Sequence, residues 1–212
     1  MLRAIQWEKA INRPPLPESA EILELNEHYS TTLNAEPFVL LDEIFRGDRL
    51  LIFASNFFLF LLFAADIVCC DGTFQTVPSI FNQLYTLNFF YYGKLLPAVY
   101  VLTKRRTALV YQRVFSILHR EAERRNRVFS PQEIVGDFES AVILSCRIEF
   151  PQSKHRGCYF HFCQVLIILN FYINTIKYYK LTVIYIYIYI YIYSVYSFIG
   201  YLSQSARVKT NN

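Results

Sequence analysis

At 212 residues the chain has room for one ordinary domain with extensions. Its 19 Phe and 17 Tyr stand against a single Trp, and ten of the tyrosines fall between Tyr172 and Tyr201. No Asp or Glu follows Glu149, so residues 1–149 carry a net −2 and the rest +6; the overall +4 belongs to the C-terminal stretch and is excluded as a DNA-binding footprint of the main domain.

Five cysteines, Cys69, Cys70, Cys146, Cys158 and Cys163, follow an N-terminus with no apolar signal core. An odd number in that setting argues against a secreted disulfide framework and makes a cytosolic or nuclear compartment the default expectation.

In chain order, residues 1–45 form a polar, acidic segment, with a proline break at Pro14 to Pro17 and a short helix expected over Glu18 to His28. Leu50 to Cys70 carries only Asp66 as a charge and is long enough to span a bilayer. The reading we favour divides it. An N-cap at Ser55-Asn56 starts a buried helix through Ala65, and Ile67 to Cys70 is a short core strand. Gln83 to Phe90 and Leu95 to Leu102 read as strands joined by a turn at Tyr92-Gly93-Lys94, where Gly supplies the positive φ. Arg105 to Arg125 spaces Leu109, Val110, Val114, Ile117 and Leu118 on one face of an amphipathic helix with a basic outer side. Pro131 breaks the chain, Ile134 to Phe138 reads as a strand, Glu139 to Glu149 as a helix and His155 to Phe162 as a final strand. That order predicts a mixed α/β sheet flanked by helices.

Two acids stand out. Asp71 follows the apolar run Ile67-Val68-Cys69-Cys70 and precedes Gly72, while Asp137 follows Ile134-Val135-Gly136. Each falls at or near the end of a short buried strand, where a rigid frame lets carboxylate oxygens share a divalent cation. The plainer readings are that Asp71-Gly72 is a hairpin turn and that Asp137 caps the following helix.

The blocks Asp71-Gly72-Thr73-Phe74, Gln83-Leu84-Tyr85-Thr86, Pro97-Ala98-Val99-Tyr100, Asp137-Phe138-Glu139 with Ala141, and Gly157 to Phe162 occur in one order, and together they resemble the transposase domain of Mutator-like elements over about residues 46–164. The resemblance implies a ribonuclease H-like fold and a DDE triad that cuts and joins DNA with Mg²⁺ or Mn²⁺. Asp71 and Asp137 match the first two acids of that triad, and Cys158 and His161 match the family's C-x-x-H signature. Adding Cys163 leaves a zinc set one ligand short of four. The third carboxylate belongs well downstream, where this sequence has no acid, and Glu139 sits inside the second block. A zinc-finger region upstream is also expected and not found. The implied sheet is therefore incomplete at its C-terminal end, and the expected product is a truncated remnant, nuclear if functional, with transposon-end DNA rather than a small molecule as its partner.

Residues 165–212 have another character. Ile184 to Tyr193 alternates Ile and Tyr without interruption, which a translated AT dinucleotide repeat would encode. Leu181 to Ser203 is uncharged, so hydropathy flags a span there, although strict period-2 order favours an extended, aggregation-prone strand. Two alternatives to the remnant stand beside it. One is a domesticated DNA- or protein-binding module, with Arg105, Arg106, Arg124 and Arg125 as candidate DNA contacts. The other is a protein spanning a membrane once or twice.

Overall fold

The computed structural model describes residues 17–25, 27–74 and 77–166. The chain falls into two units, divided between His155 and Arg156.

The first unit opens with a non-helical stretch where a helix over Glu18 to His28 was expected; only α1 (Glu27–Ser30) is helical. The reason lies in Arg49, whose guanidinium takes the carbonyls of Ala20 and Leu23 and pairs with Asp42 at 2.6 Å. The arginine thus ties this stretch to the sheet, and Ala20 O also accepts a single turn bond from Leu23 N–H at 3.3 Å. Ala20 then packs with Leu51 and Phe81 in a small cluster of its own.

β1 (Val39–Phe45) and β2 (Asp48–Ala54) follow as an antiparallel hairpin that the sequence reading did not include. Its turn uses positive φ at both Arg46 (55°) and Gly47 (89°). The run Leu50 to Cys70 is thus shared among three elements: the end of β2, α2 (Asn56–Phe63) and the start of β3 (Ile67–Thr73). Ser55 caps α2 as expected, its hydroxyl accepting from Phe58 N–H at 3.2 Å. Among the described residues no helix is long and apolar enough to cross a membrane, and the Leu181 to Ser203 stretch lies outside them.

β4 (Gln83–Tyr91) and β5 (Lys94–Thr103) form the expected hairpin, with Tyr92 and Gly93 both at positive φ. α3 (Ala108–Glu123) begins three residues later than its basic run suggested, and it buries Val110, Val114, Ile117 and Leu118 while Leu109 turns outward at 44% exposure. β6 (Glu133–Gly136), α4 (Ser140–Glu149) and β7 (Lys154–Gly157) complete the order.

The seven strands lie in the order β1-β2-β5-β4-β3-β6-β7. β3 pairs antiparallel with β4 and parallel with β6, so the sheet is mixed, and α3 is the crossover between its antiparallel and parallel parts. One core joins the sheet residues Ile52, Val68, Leu87 and Val99 to the inner faces of α2, α3 and α4. α4 leans on α3, with Ser145 Oγ donating to Ala108 O at 2.9 Å and Phe115 meeting Phe150 edge-on. This is the α/β, ribonuclease H-like sheet with flanking helices that the blocks implied.

In the second unit the strand expected to reach Phe162 stops at Gly157, and residues 159–166 are helical, with Phe162 N–H donating to Cys158 O at 3.1 Å. Alternating side chains suit a strand only where a neighbouring strand supplies the ladder; Tyr159 and Phe160 are instead exposed on a helical turn.

Candidate functional site

β3 runs two residues past Asp71, and both Asp71 and Gly72 are in its ladder, opposite Thr86 and Tyr85 of β4. Asp71-Gly72 is therefore not a turn. Gly72 is required for space: a Cβ there would stand 2.3 Å from Gln83 Nε2. On the other side of β3, Cys69 is level with Val135 of β6. A Cβ built on Gly136 would lie 3.9 Å from Cys70 Cβ, which carries the same register one residue further. Asp71 lies two residues beyond Cys69, the last paired residue of β3 in this ladder, and Asp137 two beyond Val135 and one past the end of β6. Both residues are half-buried, Asp71 two residues before the end of β3 and Asp137 just after β6, toward the C-terminal side of the parallel pair, where ligands of open α/β sheets collect.

Asp137 does part of what its plainer reading asked. Its Oδ1 accepts from Glu139 N–H at 3.0 Å, shaping the turn into α4, while Glu139 itself is the N-cap. The Glu139 carboxylate faces the hydroxyl of Tyr111 at 3.0 Å, and that hydroxyl also meets Gln83 Oε1 at 2.9 Å. Burial pushes the Glu139 carboxyl above the usual range, with the Asp137 charge adding to it and the Tyr111 bond and Arg106 opposing. Burial also raises Tyr111 and Cys70, keeping both neutral at ordinary pH. Sequence reasoning missed Gln83 and Tyr111 as members of this cluster. Their signal was a polar tip at two positions that the strand and helix patterns assign to the core.

The four candidate arginines divide into two groups. Arg105 and Arg106 precede α3 on the site side: Arg105 pairs with Asp48, and Arg106 lies over the Phe74 ring at 4.8 Å, just past the end of β3. Arg124 and Arg125 are at the far end of the same helix, roughly 24 Å away at 1.5 Å per residue. Both bind Glu121, and Arg125 also donates to Asn56 Oδ1 at 2.7 Å. The four do not form one patch.

In the second unit, Cys158 immediately precedes the helical residues and His161 lies in their first turn, with Cys163 two residues on. All five cysteines are free thiols. Among the described residues no group of three or more His, Cys, Asp or Glu is arranged to hold a metal, so Cys158, His161 and Cys163 do not form a three-ligand site.

The class is set by the mixed sheet, in which β3 pairs antiparallel with β4 and parallel with β6. Residues 67–165 match the MULE transposase domain, from the first residue of β3 into the helical residues after β7, and this part of the chain is a MULE transposase domain. That match supports a transposase origin for this part of the chain. No curated protein matches the sequence.

The donor set at the strand ends fits a hard divalent cation in part. Two carboxylates supply oxygen ligands of the kind Mg²⁺ takes, and Mg²⁺ commonly uses one or two protein carboxylates while keeping several waters. The pair does not by itself make a closed cage.

Proposed function

We propose that the chain is a remnant of a Mutator-like DNA transposase that keeps the first two metal-binding acids, Asp71 and Asp137, and carries out no DNA cleavage or strand transfer. The observation behind this reading is the family match over residues 67–165 combined with the absence of any Asp or Glu after Glu149. Glu139 does not take the place of a third acid, because its carboxylate is turned to Tyr111. Asp71 and Asp137 would hold Mg²⁺ or Mn²⁺, which in complete enzymes of this chemistry activates the attacking oxygen and stabilises the leaving one. Here the two carboxylates serve as a weak cation site beside which a DNA phosphate is drawn by Arg106.

As a DNA contact, the arginine geometry favours Arg106, which lies over the Phe74 ring just past β3, over Arg105, Arg124 and Arg125, each of which is in an ion pair. Burial pushes the Glu121 carboxyl up, and the Arg125 and Arg124 guanidinium groups bonded to it more than reverse that, so this one carboxylate offsets part of their charge, as Asp48 offsets that of Arg105. The same Arg106 observation supports a second reading, a domesticated DNA-binding module without catalysis. A functional product would act in the nucleus.

The test is a nicking and strand-transfer assay on plasmid and terminal-repeat DNA with Mg²⁺ and with Mn²⁺. No product above the metal-free background is expected. Metal-dependent cleavage that disappears in Asp71→Ala would overturn the proposal.

A further inference from the structure

Tyr111 is 1% exposed on the inner face of α3, packed on the Tyr85 ring with centroids 4.9 Å apart. Phenylalanine would fill the same space, and a buried hydroxyl is costly unless it is bonded. The hydroxyl joins two groups that belong to the two ends of the aspartate pair. On one side is Gln83, 1% exposed, whose amide occupies the volume left by the missing Cβ of Gly72, the residue after Asp71. On the other is Glu139, whose backbone N–H holds Asp137 Oδ1. A continuous polar path thus runs from beneath Gly72 through Gln83, Tyr111 and Glu139 to Asp137.

Counting protons tightens the picture. One hydroxyl proton faces two oxygens, while Gln83 Nε2 is buried without a partner. Turning the amide end for end lets Nε2 donate to Tyr111 Oη and Oη donate to Glu139; alternatively a protonated Glu139 donates to Oη and Oη to Gln83. Tyr111 is the middle link in both arrangements. Nothing in core packing calls for three polar tips here, since an apolar trio of similar shape would be no less stable.

We propose that Tyr111 is a positioning residue for the Asp71 and Asp137 pair, its hydroxyl locking the Glu139 turn that aims the Asp137 carboxylate, so that cation binding by the pair depends on that hydroxyl. This rests on the reading of the two aspartates as a cation site. Outer partners of this kind typically change metal affinity by about 10- to 100-fold.

The experiment is a Mn²⁺ titration of the full chain followed by water-proton relaxation, with thermal melting by circular dichroism as a fold control. The wild type is expected to bind Mn²⁺, Asp71→Asn to lose it, and Tyr111→Phe to weaken it roughly tenfold. Glu139→Gln keeps an acceptor for Oη and is expected to stay within about threefold of wild type, whereas Glu139→Ala breaks the link and is expected to weaken Mn²⁺ binding roughly tenfold too, which tests the link independently should Tyr111→Phe not fold. Tyr111→Phe binding Mn²⁺ like wild type while melting lower would overturn the positioning role alone. So would Glu139→Gln losing as much as Glu139→Ala, which would make the charge, not the link, the active feature. A wild type that binds no better than Asp71→Asn would remove the cation site and this inference with it.

Discussion

At the scale of single residues, the sequence pointed to Asp71 and Asp137 by their neighbours, and the structure gives a steric reason for one of them, Gly72, while a Cβ on Gly136 would meet only ordinary contacts at 3.9 Å. Gly72 is needed because the Gln83 amide lies where its Cβ would be, 2.3 Å from Nε2. Gly72→Ala therefore forces the buried amide aside and should destabilise the fold by about 2 kcal/mol, within the range for overpacked cores, as read by urea denaturation. An unchanged midpoint would mean that Gln83 moves freely. The role of Gln83 was not legible beforehand, since a glutamine opening a strand is ordinarily a solvent-facing residue. Arg49 was equally hidden: only the folded chain brings it to Asp42 and to the carbonyls of Ala20 and Leu23.

Charge acts at this scale too. The Arg113 guanidinium bonds Glu43 with two contacts at 2.7 Å and holds its carboxyl below the usual range. The folded state thus keeps this group ionised to lower pH than the unfolded chain does. Its stabilisation is complete above the unfolded value of about 4.3 and fades as pH falls through the lower folded value. Glu43→Gln should cost up to about 1 kcal/mol at pH 7, with the gap to wild type closing below the folded value. A gap that persisted in acid would assign the loss to packing.

At the scale of elements, legibility followed the strength of local signals. The Tyr92-Gly93 turn was marked by its glycine and by alternating residues on either side, and it is where expected. The Arg46-Gly47 turn has the same backbone signature, yet β2 was absorbed into an apolar run that reads continuously through α2 into β3. Hydropathy alone does not mark where one buried element gives way to another. The end of β7 failed for the opposite reason: local alternation in His155 to Phe162 suggested a strand, and the ladder it needed stops at Gly157. Tyr92 at a φ of 47° holds a bulky side chain in left-handed backbone. Tyr92→Asn should stabilise the hairpin by about 0.5–1 kcal/mol, seen as a raised melting temperature. A lowered one would show that the exposed ring contributes through its neighbour Tyr91, 4.6 Å away.

At the scale of the whole molecule, the fold class was legible because strands, crossover helix and parallel return occur in an order that few sheets accommodate. The pairing of β3 with β6 brings onto adjacent strands two segments whose acids, Asp71 and Asp137, are more than sixty residues apart in sequence. The helix expected over Arg105 to Arg125 already put the two arginine pairs at its opposite ends; their ion-pair partners, Asp48 for Arg105 and Glu121 for Arg124 and Arg125, were not legible in the sequence. If Arg106 draws phosphate to the site, Arg106→Ala should weaken duplex binding and lower the salt slope by about one, while Arg124→Ala should change neither appreciably. Equal losses in both variants would favour diffuse attraction over the site side of α3.

The central claim is that a MULE transposase domain here carries Asp71 on β3 and Asp137 just after β6 and keeps a cation site there. Anomalous X-ray scattering from a crystal of the full chain soaked in Mn²⁺ tests it directly. The account predicts one manganese peak within coordination distance, about 2.2 Å, of a carboxylate oxygen from each aspartate. Strong peaks elsewhere with none between Asp71 and Asp137, or aspartates directed apart, would contradict it.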